Sequence, residues 1–271
     1  MSLALILSTL FIISCNHFSL FSAKGPIAEE EILLIKIAFA LMLIVVVPVF
    51  IMAFWFTIKY RASNTNTSYK PKWANSIKIE WAIWLVPFAI IIALSFLTWR
   101  KTYQLDPYKP IASHEKAVDI EVVSIDWAWL FIYPDYNIAS LNKLVFPAKS
   151  PLSFKLTSAT VMTSFFIPPL GSQMYAMAGM QTRLHLMADE TGTFEGHNQE
   201  FSGLGYENMH FKAVATNPNQ FKAWINTVKQ STDTLDLVRY KQLDKPNANH
   251  PVTYFSYVDS GLFDYILSKY R

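Results

Sequence analysis

Apolar and polar positions follow three regimes along this chain. Residues 1–14 open it with an apolar run too short to span a bilayer. Two long uncharged stretches follow, Ile37 to Ile58 and Trp81 to Trp99. Each is long enough to cross about 30 Å of hydrocarbon as a helix. They predict transmembrane helices over 32–58 and 79–99, with Pro48 and Pro87 inside them. Membrane helices tolerate such prolines. Beyond residue 117 the period shortens to two. Val118–Ser124 alternates apolar and polar residues, as a half-buried strand does. Further short strands are predicted at Leu130–Tyr133, Lys143–Phe146, Leu152–Leu156, Arg183–Met187 and Met209–Ala215. Many short strands with Pro, Asn and Gly turns between them imply an antiparallel all-β sandwich with Greek-key connections over 117–228.

After the strands, Phe221, Trp224, Ile225 and Val228 form a helical stripe over Asn217–Val228, with Pro218 in the first turn. Residues 229–271 read as an aromatic-rich appendage: a helix around Thr234–Leu243, the stretch Tyr254–Tyr257, and a short helix ending near Lys269. The segment 100–116, with Pro107 and Pro110, is a linker.

Charge orients the hairpin. The connector 59–78 carries Lys59, Arg61, Lys70, Lys72 and Lys78 and no acid. Short basic loops stay on the cytoplasmic side, so both ends of the hairpin and the sandwich belong outside. Charged residues make up only 16% of the chain, against about 25% in soluble proteins. That shortfall supports the membrane assignment. The net charge of +3 comes without a polybasic block, which argues against a nucleic-acid partner.

Candidate chemistry starts with the single cysteine, Cys15. It follows an apolar run and the small residue Ser14, as in a bacterial lipoprotein signal. Cleavage before it would leave 15–31 as a periplasmic tether with a lipidated thiol. No Lys or Arg precedes the apolar run, so an uncleaved leader with an incidental buried cysteine stays open. Glu80 stands at the inner mouth of the second span. It reads either as a solvated acid in a first helical turn or as a proton-entry carboxylate.

With no cysteine after Cys15, the sandwich offers no thiolate to a metal. His185, His197 and His210 remain, the first and last in strand patterns and the second in a glycine-rich loop. Their spacing selects no metal, and the sequence assigns no metal ligand and no catalytic residue. Met174, Met177 and Met180 read as core filling.

Two segments carry a family resemblance: Val161–Gly171 and Glu195–His210. Placed after a two-helix hairpin, they resemble subunit II of the haem–copper terminal oxidases, which implies a cupredoxin-like sandwich. In the cytochrome c oxidases of that superfamily these segments bind a binuclear copper centre through a histidine, the motif Cys-Ser-Glu-x-Cys-Gly-x-x-His, and a methionine. Here Ser164, Phe165, Pro168, Leu170, Gly171, Glu200, Gly203 and Met209 keep their places. Thr163 stands at the first histidine position, Asn198 and Ser202 at the cysteine positions, and Tyr206 at the second histidine position.

The run Gly171–His185, the Ser164–Pro168 segment, Trp127–Pro134 and the aromatic tail are similar to the bo-type ubiquinol oxidase branch. That resemblance implies a bacterial inner-membrane subunit with a periplasmic sandwich. Its partners would be a haem-bearing subunit I and further membrane subunits. The complex would oxidise ubiquinol, reduce oxygen to water and pump protons. No cofactor would reside in this chain; haems and copper would sit in subunit I. The resemblance also implies lipidation at Cys15 and a proton-channel mouth at Glu80. Two other readings stand beside it: a cytochrome c oxidase subunit with a degenerate copper site, and an orphan lipoprotein with a ligand-binding sandwich.

Overall fold

The structure, a computed structural model, describes residues 22–65, 72–113 and 115–270. The chain divides into two compact units. One is Leu33–Asp106; the other joins the chain up to Ile32 with Pro107–Arg271.

The first unit is built on two helices, α1 (Pro26–Lys59) and α2 (Ile77–Gln104). Both are long and apolar enough to cross a membrane. Helix α1 has 34 residues, which at 1.5 Å per residue is about 50 Å, well beyond the hydrocarbon thickness. It starts before the uncharged run, and its opening turns belong to the second unit. There the Lys24 amide donates to the Pro169 carbonyl at 2.7 Å, and the Asp189 amide to the Lys24 carbonyl at 2.9 Å. The Lys24 ammonium pairs with Glu190, and the Ser172 hydroxyl donates to the Glu31 carboxylate. Gly25 is required at this approach, because a Cβ there would lie 2.2 Å from the Met187 carbonyl oxygen.

The second unit is a sandwich of two sheets. Its strands are β1 (Val118–Ile125), β2 (Ala128–Tyr133), β3 (Ile138–Leu141), β4 (Lys143–Pro147), β5 (Leu152–Ser158), β6 (Thr163–Phe166), β7 (Met174–Ala176), β8 (Thr182–Leu186), β9 (Gly192–Asn198), β10 (His210–Thr216) and β11 (Thr253–Phe255). One sheet runs β11-β3-β2-β1-β5-β8 and the other β4-β10-β9-β6-β7. The pairing is not wholly antiparallel as expected. β1 lies parallel to β5, and β4 parallel to β10. Both parallel pairs join strands distant in sequence, which crossover connections bring side by side.

Strand β2 is buried along its whole length. Trp129, Phe131 and Tyr133 enter the core between the sheets, while Ala128, Leu130 and Ile132 enter a second core on the opposite face. The second core is closed by the C-terminal segment: α4 (Leu237–Leu243), β11 and α5 (Leu262–Ser268) supply Tyr240, Phe255, Phe263 and Ile266. Helix α3 (Pro218–Lys229) begins with a capping box between Asn217 and Gln220 and buries Phe221, Ile225 and Val228 in the first core.

Tyr133 links the two sheets. Its fully buried hydroxyl donates to the Val145 carbonyl at 2.9 Å and accepts from the Val145 amide at 3.0 Å. It thereby satisfies the free edge of β4. Burial pushes this phenol well above its ordinary range, so it stays protonated.

Candidate functional site at the end of the sandwich

The two segments singled out in the sequence meet where β6 and β9 pair, with Phe165 opposite Asn198. Asn198 is 4% exposed, and its carboxamide is the hub of the site. The Oδ1 atom accepts from the Ser164 amide at 2.8 Å and the Glu200 amide at 3.0 Å. The Nδ2 atom reaches the Glu200 carbonyl at 2.7 Å, the Ser202 hydroxyl at 3.1 Å and the Met209 sulfur at 3.4 Å. Two N–H hydrogens are thus shared among three acceptors.

The loop after Asn198 is also held by its backbone. The Gln199 amide donates to the Ser164 carbonyl, and a short 3-10 turn at Tyr206–Asn208 returns the chain to Met209. Trp127 lies beneath it. Its indole N–H donates to the Ser202 carbonyl at 2.9 Å. A Cβ on Gly205 would come within 2.2 Å of that ring, so only glycine fits. Trp127 itself has φ 63°, an uncommon conformation for a bulky residue. The sequence placed Trp127 in a family run but gave no sign of this role. Its positive φ follows from the tight β1–β2 turn, which periodicity does not report.

These residues do not fit a binuclear copper centre. Such a centre needs bridging thiolates. The positions at issue hold a neutral carboxamide, two hydroxyl groups at Ser202 and Thr163, a phenol at Tyr206 and one thioether at Met209. That thioether already lies against the Asn198 amide and the Ser202 hydroxyl. Thr163 is 1% exposed and its hydroxyl has no hydrogen-bond partner. A neutral hydroxyl does not replace an imidazole as a copper donor. Among the described residues, no group of three or more His, Cys, Asp or Glu side chains is assembled to hold a metal.

The other candidates fall elsewhere. Glu80 lies exposed in the first turn of α2, its amide donating to the Ser76 carbonyl at 3.0 Å. Cys15 lies outside the described residues. His185 is tied to the linker through its Nδ1, 3.0 Å from the Pro107 carbonyl. His197 is in β9 rather than in a loop, directly opposite His210. Met174 packs against the first core as expected, but Met180 is 55% exposed and fills no core.

Removing the Asn198 hub tests its structural role. Asn198→Ala leaves the buried Ser164 amide and its neighbour at Glu200 without their acceptor, at a cost of about 1–3 kcal/mol. Amide exchange should rise at Ser164, Glu200 and the 199–208 loop while β1 and β2 stay protected. Uniform protection across the domain would show that the loop is held without the carboxamide.

Residues 136–215 match the family described as cytochrome C oxidase subunit II, periplasmic domain, and residues 229–271 match the COX aromatic rich motif. The chain is 49% identical over 265 residues to cytochrome bo(3) ubiquinol oxidase subunit 2 of Pseudomonas putida, covering 98% of this chain and 84% of that one. It is 44% identical over 267 residues to ubiquinol oxidase subunit 2 of Acetobacter aceti, covering 98% and 87%. A quinol oxidase subunit 2 of Bacillus cereus is 35% identical over 262 residues, covering 94% and 90%. Two membrane-length helices followed by a domain matched to a periplasmic family fit an inner-membrane protein. The chain belongs to the ubiquinol oxidase subunit 2 family, a branch that shares the periplasmic domain of cytochrome c oxidase subunit II.

Proposed function

We propose that this chain is subunit II of a proton-pumping ubiquinol oxidase and works without a copper centre of its own. The complex oxidises quinol, reduces oxygen to water and moves protons outward. Near-full-length relatives named as ubiquinol oxidase subunit 2 support the assignment. The observation that carries the electron-donor reading is Asn198. A buried, hydrogen-bonded carboxamide stands where a copper-binding relative needs a thiolate. Cytochrome c is water-soluble, so its oxidase needs an electron port outside the membrane. Ubiquinol is lipid-soluble and can deliver electrons within the bilayer, which makes an outer copper port unnecessary. A cytochrome c oxidase subunit with a degenerate site is less supported, because the relatives are named for quinol and the donor set is changed. The near-full-length relatives likewise give no support to an orphan lipoprotein.

In this reading the haems and the oxygen-reducing copper lie in a partner subunit I, with further membrane subunits beside it. This chain clamps subunit I with its hairpin and shields its outer face with the sandwich. The basic connector 59–78 faces the cytoplasm and the sandwich the periplasm. The purified complex should turn over with ubiquinol and not with reduced cytochrome c. Cytochrome c turnover that persists after quinone depletion would overturn the donor assignment.

Glu80 serves proton entry at the cytoplasmic mouth. Its place in an exposed first helical turn next to an apolar span supports this role. Glu80→Gln should slow quinol turnover and proton uptake with the complex still assembled. Wild-type turnover across the pH range would return Glu80 to a solvated surface acid.

Cys15 carries the N-terminal lipid, as its place after an apolar leader and Ser14 supports. Intact mass should begin at Cys15 with added acyl chains, and Cys15→Ser should retain residues 1–14. A mature wild-type chain that still begins at Met1 would exclude lipidation.

A further inference from the structure

The inner end of the membrane hairpin carries positive charge that its own sequence does not balance. No Asp or Glu lies between Glu31 and Glu80, and the connector within that span holds Lys59, Arg61, Lys70, Lys72 and Lys78. Depth follows from the helices. The uncharged run Ile37–Ile58 rises about 33 Å at 1.5 Å per residue, so Lys59 and Arg61 stand where hydrocarbon gives way to headgroups. Lys78 precedes the uncharged run Trp81–Trp99 of α2 by about one turn and reaches a similar depth.

Lys59 closes α1 and is set in an aromatic frame. Its ammonium lies 4.8 Å from the centroid of the Trp55 ring and 5.7 Å from that of Tyr60. Trp55 stacks on Phe56 at 5.7 Å, and Phe56 meets Tyr60 at 6.1 Å. The chain then turns at once. The Asn64 amide donates to the Arg61 carbonyl at 2.9 Å, and the Asn64 Nδ2 donates to the Lys59 carbonyl at 2.7 Å. This satisfies one of the open carbonyls at the end of α1 and keeps Arg61 beside the frame. Ring faces attract an ammonium without neutralising it, so Lys59 is positioned and still fully charged. Lys59 and Arg61 are both exposed. Ile51, Phe54 and Ile58 stand exposed along one stripe of α1, at i, i+3 and i+7.

We propose that this corner binds the phosphate of an anionic glycerophospholipid of the inner leaflet. Lys59 and Arg61 are its charged contacts, and Trp55 is the platform that positions Lys59. Basic clusters next to a membrane span attract anionic headgroups, and Trp and Tyr sit at headgroup level. Lys72 and Lys78 add to the attracting field without belonging to the site. A free phosphate ion offers the same oxygens but has no acyl chains to lie along Ile51, Phe54 and Ile58. The inference rests on the membrane reading of the hairpin, with the connector on the cytoplasmic side, and is independent of the electron donor.

The test equilibrates the purified, detergent-solubilised complex with a mixture of phosphatidylglycerol and phosphatidylcholine and reads the bound lipid by native mass spectrometry. The wild type should retain phosphatidylglycerol in preference. Lys59→Gln and Arg61→Gln should each lower that retention about fivefold, whereas Lys59→Arg keeps the charge and should preserve it. Trp55→Leu leaves every charge in place and should lower it too. Arg100→Gln with Lys101→Gln, at the outer end of α2, should leave it unchanged. All variants should assemble with haem and keep wild-type quinol turnover in detergent, which verifies folding. No preference in the wild type, or unchanged retention in Lys59→Gln, Arg61→Gln or Trp55→Leu, would overturn the proposal; a partner subunit covering this corner would give that result. An equal loss in the outer-end variant would show only a diffuse attraction and overturn it as well. Displacement of the lipid by millimolar inorganic phosphate would assign the site to a free anion instead. Failure of the oxidase assignment would show in the donor assay and not in lipid retention.

Discussion

Phe165 lies flat against Phe211, with centroids 5.1 Å apart and planes inclined by 7°. Trp129 meets both rings edge-on, at 5.2 and 5.9 Å. This cluster joins three strands across the two sheets directly beneath the Asn198 loop. It also dictates Gly196, because a Cβ there would sit 2.0 Å from the Phe211 ring. The end of the sandwich is therefore closed by dispersion and apolar burial, and Asn198 sits on a finished core. In small domains that fold around a structural metal, the ion contributes roughly 10–16 kcal/mol. A hydrogen-bond hub offers about 1 kcal/mol per bond, so it cannot replace a metal on which folding depends. It suffices here because the aromatic cluster already holds the strands together.

The same logic explains the tail. Strand β2 carries large apolar side chains on both faces, and a two-sheet sandwich covers only one. Without α4, β11 and α5, the other face would expose Leu130, Ile132 and Leu141 as a contiguous patch. The tail is therefore part of the sandwich, with a hydrophobic core of its own. On the N-terminal side of the hairpin, Lys24 just before α1 is hydrogen-bonded to Pro169 and Asp189 and ion-paired to Glu190, and Glu31 in the first turns of α1 accepts from Ser172. Residues before and after the membrane hairpin thus close one unit, and contacts distant in sequence hold it together.

Elements with strong periodicity were legible from sequence. The two long helices, the alternating β1 and β5, and α3 with its proline start all stand within a few residues of their expected places. Strands β3, β6, β7, β9 and β11 were not. In β9, Gly192 and Gly196 with Glu195 and His197 read as a loop, because the glycine that lets Phe211 in also erases the apolar alternation. β6 holds Thr163 and Ser164 at positions where a strand signal would want apolar residues. Ser164 belongs to the Asn198 site, where its amide donates to the carboxamide, and Thr163 stands beside it. The site is therefore both the place where the fold was hardest to read and the place where the missing thiolates were easiest to see. What sequence could not supply was register: it kept His197 and His210 apart and left Trp127 without a role.

The loop 199–208 keeps a defined geometry without any metal-binding group to hold it. The reason is that the loop answers to constraints other than the metal. Gly203 has φ +104°, and Gly205 gives way to the Trp127 ring. The Ser202 carbonyl is committed to the Trp127 indole, and the Met209 carbonyl to the strand pairing at Asn198. None of these contacts involves a metal-binding side chain. Exchange of the ligand side chains then needs only that each new group be satisfied where it stands. Asn198 and Ser202 meet that condition and Thr163 does not, since its hydroxyl is buried without a partner. The fold of this loop thus rests on packing and backbone hydrogen bonds that ask nothing of a metal-binding side chain.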